Sequence, residues 1–456
     1  MRIIICGAGQ VGFGIAERLA AEQHDVSVID TSPTLVAAIR ESLDVRGFVG
    51  NGAHPDTLAA AGAADADMIV AVTLYDEVNM VACEVASALY KIPTKVARIR
   101  ARSYLDPKWN LFSRENLSID VVISPEIEVG EMVLRRLAYP GATDIVRFAE
   151  DKVVMVGLHC KEDCPVVDTP LSQLSELFPG LGAVVVGIQR GTRLYVPHGG
   201  DRMETGDLVY VVTAKERVRR LMKLFGHDEP EASRVVIAGG GNIGLFVASA
   251  LEKKGQSRVS LLEVSRQRAI DIADDLPRTV VINGSALDIQ MLKEADIDVA
   301  DVMVALTNDD EVNLLSCVMA REMGAKRNLT LLNNTSYPPF ARALGIDAFL
   351  NPRAVTVSKI LRLVRRGRIR GVHSIQNGAA EIIEAEALET SPLVGRPLRE
   401  IDLPDGLRVG AVVRRGEVIS PDGDTRILAS DRVVIFALAE RVRQVEQMFR
   451  VSLEFF

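Results

Sequence analysis

The sequence lacks the features that secreted and membrane-embedded proteins depend on. Its five cysteines (Cys6, Cys83, Cys160, Cys164, Cys317) are odd in number and scattered, so they cannot form a dense disulfide framework. No apolar run approaches the roughly 18 residues of a membrane span. Runs such as VVMVGL from Val153 and AVVVGI from Ala183 are only strand-sized. Basic charge is in deficit: Lys+Arg 53 against Asp+Glu 61 gives a net charge of −8. Such a chain is a poor match for non-specific nucleic-acid binding, which needs a basic surface to displace counterions. The opening MRIIICGAG has one basic residue, a short apolar run and then glycines, which reads as a first strand and not as a secretory signal. The expected setting is the cytoplasm, with any membrane contact made through a partner.

What is present is a repeat. The 456 residues suit two to four domains at roughly 100–200 residues each. CGAGQVG (Cys6–Gly12) is echoed by AGGGNIG (Ala238–Gly244), and VTLYDEVNMVACEVA (Val72–Ala86) by LTNDDEVNLLSCVMA (Leu306–Ala320). DVVISPEIEVGEMVLRRL from Asp120 is matched more weakly by DAFLNPRAVTVSKILRLV from Asp347. The separation between copies is nearly the same at the glycines as at the threonines Thr73 and Thr307, so whole domains are duplicated. The intervening segments also resemble each other: GAVVVGIQRGTRLY from Gly182 parallels GAVVRRGEVIS from Gly410, each followed by a Gly/Asp-rich turn, a strand and a helix. The expected modules are 1–139 and 233–370, of Rossmann-like α/β type with doubly wound parallel sheets, and 140–226 and 371–456, small α+β units. The polar stretch GHDEPEAS from Gly226 reads as the linker between the two halves.

Within the first module, Arg2–Cys6 reads as a buried strand, Val11, Ile15 and Leu19 as one face of a helix, and DVSVID from Asp25 as the next strand. Ser32 followed by Pro33 is a helix start, and MIVAVT from Met68 a central strand. In this context Gly7-x-Gly9-x-x-Gly12 becomes a dinucleotide-binding fingerprint, completed by Asp30 at the end of the second strand. Gly7 permits the tight turn, Gly9 lets the backbone approach a pyrophosphate, and Gly12 lets helix and strand pack closely. The helix N-terminus offers free N–H groups to phosphate. Asp30 can accept from ribose hydroxyls and would repel a 2′-phosphate, which favours NAD(H) over NADP(H). Gly239, Gly241, Gly244 and Glu263 repeat the set. Small residues in GNG (Gly50–Gly52) and NGS (Asn283–Ser285) leave room for adenine or ribose. Thr73 and Thr307 stand at strand ends, where open α/β sheets bind ligands. Asp76, Glu77 and Asn79, with Asp310, Glu311 and Asn313, fall at helix starts, where capping is the favoured role over ligand contact.

The copies differ after the next strand. Arg98, Arg100 and Arg102 align with Leu331, Asn333 and Thr335. Guanidinium groups suit phosphate oxygens, so the first site is expected to tolerate more negative charge, while Arg102 reads as a surface or interface residue. Three other patterns carry less. YLDPK (Tyr104–Lys108) has the Tyr-x-x-x-Lys spacing of short-chain dehydrogenases, but Pro107 interrupts the helix that spacing needs. HCKEDC (His159–Cys164) has no second Cys/His pair to complete a zinc site. RLVRRGRIRG from Arg362 is a basic run at a module junction, where a partner or subunit could dock.

Two GxGxxG–acid modules, each with T-x-x-D-E-x-N and each followed by a small β-rich module, resemble the TrkA family of Trk potassium uptake regulators, built from tandem KTN/RCK halves. The resemblance covers essentially the whole chain. It implies a non-enzymatic, peripheral cytoplasmic subunit that binds NAD(H), ATP and ADP. It further implies a homo-oligomeric ring that gates a TrkH/TrkG-like membrane potassium-translocating subunit. Carried over residue by residue, the phosphate loop falls on Gly7, Ala8, Gly9, Gln10 and Val11, the ribose acid on Asp30, the strand-end contacts on Thr73 and Leu74, and the basic contact on Arg98. In the second half these positions are Gly239, Gly240, Gly241, Asn242 and Ile243, then Glu263, Thr307 and Asn308. Many single-module relatives carry arginine inside the loop, where this chain has Gln10 and Asn242, so a cross-subunit grip on a triphosphate from that position is not implied. The alternatives are an NAD-dependent oxidoreductase with a duplicated Rossmann domain, for which the small modules offer only scattered histidines (His159, His198, His373), and an assembly scaffold with empty nucleotide folds.

Overall fold

The computed structural model describes residues 1–113, 116–162, 164–178, 180–334, 336–346, 348–364 and 369–449. Its first module runs β1 (Arg2–Cys6), α1 (Gln10–Ala21), β2 (Asp25–Asp30), α2 (Pro33–Ser42), β3 (Arg46–Val49), α3 (Pro55–Ala60), β4 (Met68–Ala71), α4 (Asp76–Tyr90), β5 (Thr94–Arg98), β6 (Val121–Ile123) and α5 (Pro125–Ala138). The strands form one parallel six-stranded sheet in the order β3-β2-β1-β4-β5-β6, which is the doubly wound order expected. Ile3, Ile4 and Ile5 in β1 and Met68 to Ala71 in β4 are fully buried, as central strands covered by helices on both faces must be. The β4 strand ends at Ala71, two residues before the Thr73 end expected for it.

The first small module holds β7 (Ala142–Phe148), β8 (Val153–His159), α6 (Leu171–Leu177), β9 (Ala183–Arg190), β10 (Arg193–Tyr195), β11 (Leu208–Ala214) and α7 (Val218–Leu224). The second nucleotide-type module repeats the first: β12 (Arg234–Ala238), α8 (Asn242–Lys254), β13 (Arg258–Glu263), α9 (Arg266–Asp275), β14 (Val280–Asn283), α10 (Ile289–Glu294), β15 (Val302–Ala305), α11 (Asp310–Glu322), β16 (Asn328–Leu331), α12 (Pro338–Ala343), β17 (Ala348–Leu350) and α13 (Pro352–Val364). Its sheet order, β14-β13-β12-β15-β16-β17, is the same. The last module contains β18 (Ile369–Ile375), β19 (Ala380–Glu386), β20 (Leu407–Arg414), β21 (Glu417–Ile419), β22 (Arg432–Leu438) and α14 (Val442–Met448). Each small module is an antiparallel five-stranded sheet, β10-β9-β11-β8-β7 and β18-β19-β22-β20-β21.

The modules sort into two units by kind. One contains both parallel sheets (Met1–Glu131, Val236–Lys253, Val259–Leu361), the other both antiparallel sheets (Met132–Val235, Lys254–Arg258, Arg362–Phe456). In the first unit, equivalent helices exchange contacts between modules. A Cβ on Gly14 of α1 would lie 3.0 Å from the Arg353 side chain of α13, and one on Gly130 of α5 would lie 2.3 Å from the Phe246 ring of α8. Lys359 of α13 pairs with Glu128 of α5. In the second unit the two sheets share an apolar core that includes Val186, Tyr210 and Val212 from one and Ile382, Val434 and Phe436 from the other. The Tyr210 and Phe436 rings are 6.2 Å apart, and a Cβ on Gly187 would collide with Phe436 at 2.7 Å.

The small modules correct one alignment. The shared tetrapeptide GAVV suggested that Gly182 corresponds to Gly410. In the structure Arg190 ends β9 and pairs with Asp207, whereas Arg414 ends β20 and pairs with Asp431, so these residues are the true equivalents. Each strand skips one residue in its pairing with β11 or β22, at Val186 and at Gly410. Gly410 therefore corresponds to the bulge residue Val186, and the shared tetrapeptide is a coincidence of composition.

Candidate nucleotide sites

The site begins with three glycines that need to be glycine for different reasons. Gly7 has φ +115°, and a Cβ there would press on the Val72–Thr73 backbone at 3.1 Å. Gly12 faces the Gly7 carbonyl so closely that a Cβ would sit 1.8 Å from it. Gly9, the N-cap residue of α1, has an ordinary φ of −65°, and a Cβ there would meet nothing within 4 Å. Gly239, Gly244 and Gly241 repeat this set: φ +102°, a 2.0 Å collision with the Gly239 carbonyl, and open space. Tight turn, close packing and open approach are thus assigned to separate glycines in both copies.

Asp30 fastens the loop. Its Oδ2 accepts from the Ala8 N–H at 2.7 Å and its Oδ1 from the Ser32 N–H at 2.8 Å. Glu263 does the same with Gly240 (2.8 Å) and Ser265 (2.7 Å). Each carboxylate therefore ties the glycine loop to the start of the following helix, and its remaining lone pairs stay available to a ribose hydroxyl.

The T-x-x-D-E-x-N motif is internal wiring. Asn79 is fully buried; its Oδ1 accepts from the Thr73 N–H and hydroxyl, both at 2.8 Å, and its Nδ2 donates to the carbonyls of Thr73 and Arg98. Asn313 repeats this with Thr307 and Leu331. Asp76 accepts from the Arg100 and Ala101 N–H groups, and Asp310 from those of Asn333 and Asn334. Glu77 takes the Tyr104 hydroxyl at 2.9 Å, and Glu311 takes that of Tyr337. These bonds raise both tyrosine hydroxyls above their usual range. Asp76 and Asp310 thus tie the turns after β5 and β16, while Glu77 also accepts from its own backbone N–H in the first turn of α4. The α11 cap is Asp309, which accepts from the Val312 N–H at 2.9 Å.

The small loops beyond the next strands also have structural reasons. A Cβ on Gly52 would meet Cys6 at 2.7 Å, one on Gly50 would meet Thr57 at 2.8 Å, and one on Gly284 would meet Met291 at 2.5 Å. Burial pushes the Cys6 thiol up to about 12. With Thr73 and Thr307 engaged internally, the strand-end residues left projecting are Leu74, 72% exposed, and Asn308.

The candidate residues Gly7–Val11, Asp30, Thr73, Leu74 and Arg98 all come together at the carboxyl edge of β1, β2, β4 and β5. Arg98 is half-buried and its Nε has no hydrogen-bond partner, while burial and then the neighbouring Arg100 lower its proton affinity. An anion would relieve both penalties. Arg100 is already committed, its Nε 2.7 Å from Glu126 Oε1. In the second copy Gly239–Ile243, Glu263, Thr307 and Asn308 occupy the matching edge of β12, β13 and β15. Next to it lies a cavity of about 520 Å³ lined by Gln10, Asn308, Asp309, Asp310, Glu311, Asn333, Asn334, Tyr337 and Arg353. Sequence reasoning missed Arg353. The aligned stretches SPEIEVG and NPRAVTV already set it opposite Glu126: the second copy loses the Arg100–Glu126 pair and regains a cation on α13.

The remaining motifs fall elsewhere. Tyr104 and Lys108 lie in separate short 3-10 turns, with Lys108 paired to Asp106 and over the Trp109 ring. Cys160 and Cys164 are buried in the core of the first small module. Of the basic run, residues 365–368 lie outside the described residues, as does Thr335. Among the described residues, no group of three or more His, Cys, Asp or Glu is arranged to hold a metal ion, and no helix is long and apolar enough to cross a membrane.

The family model for the TrkA-N domain matches residues 3–125 and 235–352, and that for the TrkA-C domain matches 159–226 and 382–450. The chain is 58% identical to the Trk system potassium uptake protein TrkA of Azorhizobium caulinodans, covering 100% of both chains. It is 42% identical to that of Halomonas elongata, again over 100% of both, and 40% identical to that of Vibrio alginolyticus over 99% of both. Among solved structures it is similar to the GsuK RCK domain, with a TM-score of 0.61, 18% identity and 98% and 94% of the two chains covered. It is also similar to a GsuK channel bound to NAD, with a TM-score of 0.62, 18% identity and coverage of 98% and 78%. At that identity these structures establish the fold.

Proposed function

The chain belongs to the TrkA family, and from that membership we propose that it is the cytoplasmic, nucleotide-binding regulatory subunit of a Trk-type potassium uptake system. It docks on the inner face of the cell membrane through a TrkH/TrkG-like potassium-translocating partner. The observation that carries this reading is the duplicated glycine cradle, open above Gly9 and Gly241 and opening a helix N-terminus in each copy. Pyrophosphate would lie on Gly7–Val11 and Gly239–Ile243, ribose hydroxyls on Asp30 and Glu263, and the strand-end residues Leu74 and Asn308 would border the ligand. Arg98 would meet phosphate oxygens in the first site. NAD(H) is the expected dinucleotide, with ATP and ADP as competing ligands. Modules 1–139, 140–226, 233–370 and 371–456 assemble as part of a homo-oligomeric ring, and nucleotides that favour different module positions shift the ring between states.

The reading is regulatory and not catalytic because the small modules bury their sheet faces against each other. An oxidoreductase would use such modules as a substrate domain. The test is potassium flux through the partner in liposomes, with and without the chain, as NADH, ATP or ADP is added. Flux that changes with nucleotide only when the chain is present supports the proposal, and flux indifferent to every nucleotide refutes it.

A further inference from the structure

The polar stretch GHDEPEAS that joins the two halves is fastened along its length. Each acid in it has a cation: Asp228 pairs with Lys223 at 2.8 Å, Glu229 with Lys161 at 3.1 Å, and Glu231 with Arg219 and Lys254. Ion pairs so open to solvent hold weakly. His227 is different. It is 5% exposed, and its backbone N–H donates to the Met222 carbonyl of α7 at 2.9 Å. Its ring wedges between the end of β8 and the turn before β7.

The partners fix where the ring carries hydrogen. Nε2 lies 3.1 Å from the His159 carbonyl, which can only accept, so Nε2 donates. In the neutral ring Nδ1 is then a bare lone pair. It has no hydrogen-bond partner, and Glu229 Oε2 stands 3.8 Å away. A lone pair facing a carboxylate is repelled; a proton on Nδ1 turns the same contact into attraction. Burial pushes the Glu229 carboxyl up, but its own backbone N–H, Lys161 and the His227 ring together hold it below the usual range. Lys161 engages Oε1, which leaves Oε2 for the ring. Gly141, at φ +88°, makes the room: a Cβ there would sit 2.4 Å from Nδ1 and 3.3 Å from Glu229 Oε2. The other charges nearby do not face the ring in this way. The Asp228–Lys223 pair is open to solvent, the His159 side chain is exposed, and the turn through Gly141 brings no charged residue.

We propose that His227 is a proton-operated clasp on the linker between the two halves. With Nδ1 protonated, the ring and Glu229 form a charge-assisted hydrogen bond that fixes the Gly226–Ser233 stretch against β8 and α7. Without that proton only the surface pairs remain. Linker order is therefore greatest on the acid side and falls as pH rises through the imidazole titration, in the range where histidine changes charge. The HCKEDC pattern thereby gains a role unrelated to metal: His159 supplies the carbonyl and Lys161 steadies the carboxylate. The linker runs directly into β12, so the attachment of the second glycine loop answers to pH.

The test is hydrogen–deuterium exchange of the full chain, read by mass spectrometry at about pH 5.5 and about pH 8, either side of the imidazole range, with exposure times scaled to equal intrinsic exchange. Amides of the linker, that of His227 included, should be about tenfold more protected at the lower pH, the size of one charge-assisted hydrogen bond. Amides of α4 serve as the reference and should match at both. Glu229→Gln should remove the linker's pH dependence. His227→Gln, which keeps an N–H for the His159 carbonyl but cannot titrate, should do the same. If that buried substitution unfolds the module, Glu229→Gln, on a more exposed residue, decides alone. Equal linker protection at both pH values in the parent overturns the proposal, and so does a pH dependence that survives Glu229→Gln.

Discussion

Gly9 and Asp30 look like equal members of one fingerprint, yet substitution would test different things. A side chain at Gly9 or Gly241 projects into open space from an unstrained backbone, so it obstructs a ligand without disturbing the fold. Gly9→Val and Gly241→Val chains should melt within a degree or two of the parent by calorimetry. Asp30→Ala removes the bond to the glycine loop at Ala8 and the bond to the α2 start at Ser32, as well as the proposed ribose partner. It should cost about 2 kcal/mol even without ligand, as expected for lost charge-assisted bonds to backbone N–H groups. A melting temperature unmoved by Asp30→Ala would contradict that second role. The sequence made the acid's position legible through its place at a strand end. It did not reveal that the carboxylate binds its own loop, because that depends on where Ala8 and Ser32 direct their N–H groups.

At the scale of elements, the small modules each hang one buried carboxylate on one arginine. Asp207 is 1% exposed and takes the Nε and Nη2 of Arg190; Asp431 is 2% exposed and takes those of Arg414. Each arginine also donates to a carbonyl across the Gly/Asp-rich turn, Arg202 or Arg426, so the pair fixes that turn against the strand end. Arg190→Ala leaves a buried carboxylate short of partners and should destabilise its module by about 1.5–3 kcal/mol. Arg414→Ala should do the same in the other module. Chemical denaturation followed by far-UV circular dichroism checks both, and Arg190→Lys, which cannot form the fork, should fall between. Module order, strand types and helix starts such as Ser32–Pro33 could be read from periodicity and punctuation. The register of the small modules could not. The repeated tetrapeptide GAVV outweighed the more widely spaced Arg–Asp pair that marks true equivalence, and a one-residue bulge hides the offset.

At the scale of the molecule, duplication has produced two unequal candidate sites in one unit. The first retains Arg98 with an unpaired Nε; the second trades the Arg100–Glu126 pair for Asn333 and Arg353 beside an acid-lined cavity. The aligned sequences showed the arginines disappearing after β16. They could not show that a cation returns on α13, because helix-to-helix contact between modules is a property of packing and not of local pattern. The central claim is that both cradles hold nucleotide, and calorimetric titration of the intact chain with NAD, ATP and ADP tests it most directly, alongside the Gly9→Val and Gly241→Val chains. The account predicts that each substitution abolishes one class of site and leaves the other. Nucleotide uptake unchanged by both substitutions, or absent from the intact chain, would contradict it.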